Sequence, residues 1–342
     1  MIRGSVAAVG RTRGARAVVG ALERLLPADP HRLTVLTYHR IGDPGDDPDL
    51  YPGLLSANAS AFAEQMAYVA SHRRALTADE LVAVRNGAAP LPARSVVVTF
   101  DDAYVDFEER ALPVLERFGV PALLFVPTAY PDRPAVGFWW DRLWAALRKV
   151  RRPVAIEVAG RTVTIDGRDD LQPAFRALVA ELKQLSDADA RQHLQAIHER
   201  LPEPGSCHAV LGWDAIRRLP SRNVGVAAHT RTHPRLDRVD HSTLATEIEG
   251  SRRDLERSLG EPSLPLFAYP DGGHTDHVVR AVRDSGISIA FTTQRGANDT
   301  RRIDWLRVRR INVGSQTSLA LIQAQLLLPG RLPKRSRPRT AA

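Results

Sequence analysis

Short β-branched, apolar runs alternate with amphipathic helical stretches along most of the chain, and no other feature constrains its fold as much. Residues 34–38, 95–100, 122–126, 223–228, 266–269 and 289–293 read as buried strands. Residues 60–70, 77–86, 109–118, 213–219, 244–259 and 276–285 carry helical periodicity between them. Thr77 with Glu80 forms a capping box, and Gly260 and Gly286 stand where helices should stop. Strands alternating with helices predict an α/β fold with a parallel sheet, open or closed into a barrel.

One segment breaks the rhythm. Residues 154–166 alternate with period two about Ala159 and Gly160, as a hairpin does. Helical stretches at 139–150 and 171–200 flank them, so residues 136–212 read as an α+β insertion. The predicted organisation is a basic N-terminal arm or amphipathic helix over 1–32, one domain over 33–328 that carries the insertion, and a basic disordered tail over 329–342.

The chain has 47 Lys and Arg against 39 Asp and Glu, but the excess sits at the ends. Residues 331–342 carry five basic residues and no acid, and residues 1–32 carry six arginines against Glu23 and Asp29. The body between them is close to neutral, which argues against the basic folded face of a nucleic-acid-binding domain. The ends read as solvated arms or as contacts to an anionic membrane surface. Val18, Val19, Leu22, Leu25 and Leu26 would give the N-terminal arm an apolar stripe. No signal-peptide core follows Arg3, and no run approaches the ~20 apolar residues of a membrane span. The expected location is the cytoplasm, peripheral to the inner membrane face. A single cysteine, Cys207, leaves no intrachain disulfide and removes the secreted disulfide-rich class.

Two motifs carry chemistry. Thr99-Phe100-Asp101-Asp102 closes a hydrophobic strand. Adjacent carboxylates there are costly unless a positive charge sits beside them, and a metal ion would supply it. An Asx-type turn is the plainer reading. His229-Thr230-Arg231-Thr232-His233-Pro234 also follows a strand, and a His-x3-His pair can turn two imidazoles toward one ion. Taken together, two His and one Asp form a common set for a divalent metal with open positions, leaving the spare carboxylate as a general base.

At these residues the chain resembles the polysaccharide deacetylases, carbohydrate esterase family 4, over about residues 33–313. The family's first motif, Thr-Phe-Asp-Asp-Gly, is matched by residues 99–103 with Ala103 in place of Gly. Its second motif is matched in full by residues 229–234. Its third, Arg-x-Pro-Tyr-Gly, corresponds to Ala268-Tyr269-Pro270-Asp271-Gly272, without the Arg and with Asp271 for Tyr. The resemblance implies a distorted (β/α) barrel and metal-dependent removal of an N-acetyl group from an acetamido sugar in a polysaccharide, oligosaccharide or lipid-linked glycan. It implies Asp102, His229 and His233 as metal ligands and Asp101 as base. The expected ion is Zn²⁺, with Co²⁺, Ni²⁺ and Mn²⁺ as alternatives. The family's usual late acid His is missing, since no His follows His277. His39, in an early Tyr-His like that of the exopolysaccharide-modifying subgroup, is the candidate that the resemblance implies for that role, with a hydrogen-bonded structural histidine the alternative. With the third-motif Arg gone, Arg310 is the candidate to orient the base. Tyr269, Asp271 and Trp140 are candidate substrate contacts, with a helix cap the alternative for Asp271 and insertion-to-barrel packing the alternative for Trp140. An amidohydrolase on a non-sugar amide and a barrel that has lost catalysis and binds glycan or protein are the competing functions.

Overall fold

The computed structural model describes residues 28–165, 171–205 and 209–327. The membrane-facing stripe expected at Val18–Leu26 in the N-terminal arm, the tail over 329–342 and Cys207 lie outside the described residues. No helix among the described residues is long and apolar enough to cross a membrane.

Seven parallel strands close on themselves. We number them β1 (Arg32–Tyr38), β2 (Ser95–Asp101), β3 (Ala122–Val126), β4 (Val224–Ala228), β5 (Leu266–Ala268), β6 (Ile289–Arg295) and β7 (Val308–Asn312). Each pairs with the next, and β1 pairs with both β2 and β7, which completes the ring. The expected α/β barrel is therefore present. Period-two alternation divides each strand between two apolar layers. Val35, Val97, Leu123, Phe125, Ala227, Phe291 and Val308 fill one cluster. Their neighbours Leu36, Val96, Val98, Leu124 and Val226 pack in the other, with the surrounding helices.

Local rules account for most of the helices. Thr77 accepts from the Glu80 amide while Glu80 accepts from the Thr77 amide, so the expected capping box caps helix Ala78–Arg85. Asp240 caps helix His241–Leu259, which ends at Gly260 with φ of 75°. The predicted helix over 109–118 begins differently, with a π turn at Phe107–Ala111 before α-helix Leu112–Phe118. Pro113 lacks an amide hydrogen and its ring crowds the carbonyl four residues earlier, which favours the wider turn.

The insertion contains helix Trp139–Arg148, an antiparallel hairpin of Val154–Val158 with Arg161–Ile165, and helices Leu171–Leu182 and Asp187–Arg200. Strand β7 and helix Leu319–Leu327 were not anticipated from the sequence, nor were the short strands Arg40–Ile41, Leu55–Ala57, Arg74–Ala75 and Asn298–Asp299.

Candidate active site

Asp101 is the last residue of β2 and is 3 % exposed. Its two oxygens accept from Arg310 Nη1 at 2.8 Å and Nη2 at 2.7 Å, and Arg310 Nε donates to the Thr292 carbonyl at 2.9 Å. Arg310 lies on β7, 1 % exposed. Because β1 lies between β2 and β7, barrel closure joins two residues 209 positions apart. Burial alone would raise the Asp101 pKa, but the Arg310 guanidinium outweighs it and holds the carboxyl well below its usual range. Asp101 is thus an ionised carboxylate in a dry place.

Asp102 turns the other way. Its Oδ1 lies 3.6 Å from His229 Nε2 and 3.2 Å from His233 Nε2. One donor atom from each of the three residues lies within 4.8 Å of the others. Asp102 Oδ1 is buried and accepts no hydrogen bond. The His229 ring sets its Nδ1 2.7 Å from the Ala268 carbonyl, which takes that proton and leaves Nε2 as a lone pair facing the group. Burial pushes the His229 pKa down to about 4, so the imidazole is neutral, as a ligand must be. An orphaned carboxylate oxygen between two Nε2 atoms is the donor set a small divalent cation needs.

Backbone strain concentrates here. Asp102, Ala103, Thr230, His233 and Asp271 all have positive φ, at 75°, 53°, 64°, 62° and 51°. Ala103 adopts the left-handed conformation that Gly takes without penalty, so the departure at this position costs strain but keeps the turn. The His loop is wound onto helix His241–Leu259. Glu247 accepts from the Arg231 amide at 2.7 Å and the Thr232 amide at 2.9 Å, and Asp254 accepts from Thr128 Oγ1 at 2.8 Å and Arg231 Nε at 2.9 Å. Sequence reading missed both acids. Their signal was two carboxylates on the buried face of an amphipathic helix, beside Leu244, Ile248 and Leu255.

His39 follows β1. Its amide donates to Ser56 Oγ at 2.9 Å, and its half-buried ring lies near enough to Asp101 and Asp102 for its charge to act on both.

The three expected substrate contacts lie in different surroundings. Tyr269 is a core residue, 0 % exposed, with its hydroxyl donating to the Leu306 carbonyl at 3.0 Å. Trp140 is 7 % exposed; it stacks on Phe138 and meets the His233 ring edge-on at 4.9 Å between centroids. Its Nε1 donates to Tyr104 Oη, which donates to Asp141, all buried. Trp140 therefore braces a metal-ligand candidate from behind, and the neighbouring Trp139 is the one that lines open space. Asp271 does not cap the following helix, because Thr275 does. It accepts an ion pair from Lys183 at 2.6 Å.

A cleft of about 280 Å³ opens beside His233. Barrel residues Tyr130 and Asp271 form part of its wall, and Lys183 and Arg191 bring the insertion to it.

Comparison with known proteins agrees with this geometry. A curated relative, the poly-beta-1,6-N-acetyl-D-glucosamine N-deacetylase of Escherichia coli K12, is 28% identical over 145 residues, 39% of this chain. The chain matches 21% of the length of that relative. Among solved structures, the Streptococcus pyogenes deacetylase PplD in complex with acetate superposes with a TM-score of 0.60 at 17% identity, covering 88% of this chain and all (100%) of that one. IcaB from Ammonifex degensii superposes with a TM-score of 0.55 at 20% identity, covering 87% of this chain and 97% of that one. At such identities these two likenesses establish the fold. The family model for polysaccharide deacetylase matches residues 88–290, a span holding Asp101, Asp102, His229 and His233. With more than half of its length in that match, the chain belongs to the polysaccharide deacetylase family.

Proposed function

We propose that the chain hydrolyses the N-acetyl group of an acetamido sugar within a glycan. The observation that carries this reading is the buried Asp101–Arg310 pair set beside the Asp102, His229 and His233 donor group. A pure binding barrel gains nothing from an ionised, desolvated carboxylate held there.

Asp102, His229 and His233 would hold a divalent cation, and Zn²⁺ suits two imidazoles and one carboxylate. When bound, such an ion polarises the amide carbonyl and acidifies water. Asp101, kept ionised by Arg310, accepts the proton of the attacking water at a carboxylate oxygen. His39 delivers a proton to the departing amine nitrogen, which leaves poorly without one. A backbone amide in the strained turn at Asp271 donates to the developing oxyanion.

The test is acetate release from β-1,6-linked N-acetylglucosamine oligomers by wild type, Asp101→Asn and His39→Ala, with and without EDTA. The expected result is release that EDTA abolishes and that each substitution lowers by roughly 10²–10⁴-fold. Full activity in Asp101→Asn would overturn the assignment of the base. Release from simple amides but from no sugar would favour a non-sugar amidohydrolase.

A further inference from the structure

The cleft beside His233 is charged in a way that hydrolysis of a neutral acetamide does not require. Its wall carries six cations, Arg133, Arg142, Lys183, Arg191, Arg235 and Arg238, against the carboxylates of Asp187 and Asp271. Three of the six are already matched: Lys183 by Asp271, Arg191 by Asp187 and Arg235 by Asp237. Arg133, Arg142 and Arg238 form no ion pair among the described residues. Three arginines with no ion pair among the described residues therefore line one concave space beside a metal-ligand candidate, Arg142 half-buried and Arg133 and Arg238 exposed. Tyr130, Trp139, Leu182 and Leu194 add flat and apolar wall between them.

We propose that this cleft binds a phosphoryl group carried by the substrate, so that the acetamido sugar presented to Asp101 is phosphate-linked. The inference rests on the deacetylase reading above. Guanidinium forks match phosphate oxygens in pairs, and charge-assisted hydrogen bonds of this kind are the strong ones. A single carboxylate would leave most of the surplus charge unanswered, whereas a phosphate dianion or diphosphate takes up most of it. Arg133 follows β3, Arg142 lies on the insertion helix Trp139–Arg148 and Arg238 lies on the loop after His233, so the insertion and the barrel each supply part of the anion site.

The experiment has two readouts. The first is kcat/KM for acetate release from N-acetylglucosamine 1-phosphate, set against the neutral methyl glycoside. A nucleotide-diphosphate-linked and a lipid-diphosphate-linked acetamido sugar serve as further arms that distinguish the carrier. The expected result is a preference for the phosphorylated compounds of about tenfold or more, as hydrogen bonds to charged groups imply. It should shrink with salt and fall toward unity in the combined Arg133→Gln, Arg142→Gln and Arg238→Gln variant. The second readout is calorimetric binding of N-acetylglucosamine 1-phosphate, with inorganic phosphate as competitor, which needs no turnover. Binding that is lost in the triple variant supports the proposal even if no acetate appears from any substrate, an outcome that would fail the deacetylase reading alone. Equal kcat/KM for neutral and phosphorylated sugars, absence of phosphate-sensitive binding, or a preference for a glucuronate-bearing oligomer would each overturn it.

Discussion

Replacing Arg310 by Gln tests the architecture and the chemistry together. The substitution removes both hydrogen bonds to Asp101, at 2.8 and 2.7 Å, and leaves a buried carboxylate without its cation. Hydrogen bonds to a charged group contribute about 1.5–3 kcal/mol each. Breaking a buried ion pair by removing one partner costs about 3–5 kcal/mol. The expected loss is therefore in that range, a fall in Tm of roughly 6–10 °C for a domain of this size. The pH dependence should also change sign. In wild type the Asp101 pKa is held below its unfolded value, so its stabilisation is present above about pH 4 and is lost as pH falls further. In Arg310→Gln burial loses its strongest opponent and raises that pKa, so stability should instead fall as pH rises from about 4. The acid limb of the activity profile should move to higher pH for the same reason. Denaturant unfolding of wild type, Arg310→Gln, Asp101→Asn and the double variant from pH 4 to 8 provides the measurement. The double variant should recover much of the loss, because it buries no unpaired charge. A loss below about 1 kcal/mol in Arg310→Gln, or strict additivity in the double variant, would refute the reasoning.

Other outcomes follow from the same geometry. Asp102→Asn and His229→Ala should each weaken Co²⁺ or Zn²⁺ binding by about 100-fold or more, read by equilibrium dialysis, since the first removes the negative charge and the second one donor from the three-residue group seen among the described residues. Ala103→Gly relieves a left-handed Ala with φ of 53° but loosens the unfolded chain. The two effects oppose each other at roughly 1 kcal/mol apiece, so a measured stability change should stay within about 1 kcal/mol. Burial pushes the Asp141 pKa up to about 7, so its stabilisation is present below about pH 4 and is lost as pH rises to about 7. Asp141→Asn can still accept from the Tyr51 amide and meet Tyr104 Oη, so it should flatten that decline; an unchanged slope in unfolding free energy against pH would contradict this account.

The local rules were legible in the residues. β-branched runs, a Thr77–Glu80 capping box and a Gly at the end of helix His241–Leu259 depend on neighbours within a few positions, and the structure has each of them. Asp101, Asp102, His229 and His233 were legible for the same reason, since two compact motifs hold all four. What escaped the sequence was set by contacts across the barrel. β7 is short and carries Arg309 and Arg310 in its middle, a poor strand signature until Asp101 neutralises the second guanidinium inside. Tyr269 and Trp140 read from the chain as candidate substrate contacts, and packing buries both. Spacing alone gave no sign that Asp141 would be sealed beneath Tyr104, or that Lys183 from the insertion would meet Asp271 from the barrel. The sequence by itself determined six of the seven barrel strands, most of the helices and the two motifs, because backbone propensity and short-range hydrogen bonding act along the chain. Only the tertiary structure decided which cation faces the base, which aromatics stay dry and how much positive charge the cleft collects, because burial and charge pairing depend on residues far apart in the chain, 209 positions in the case of Asp101 and Arg310.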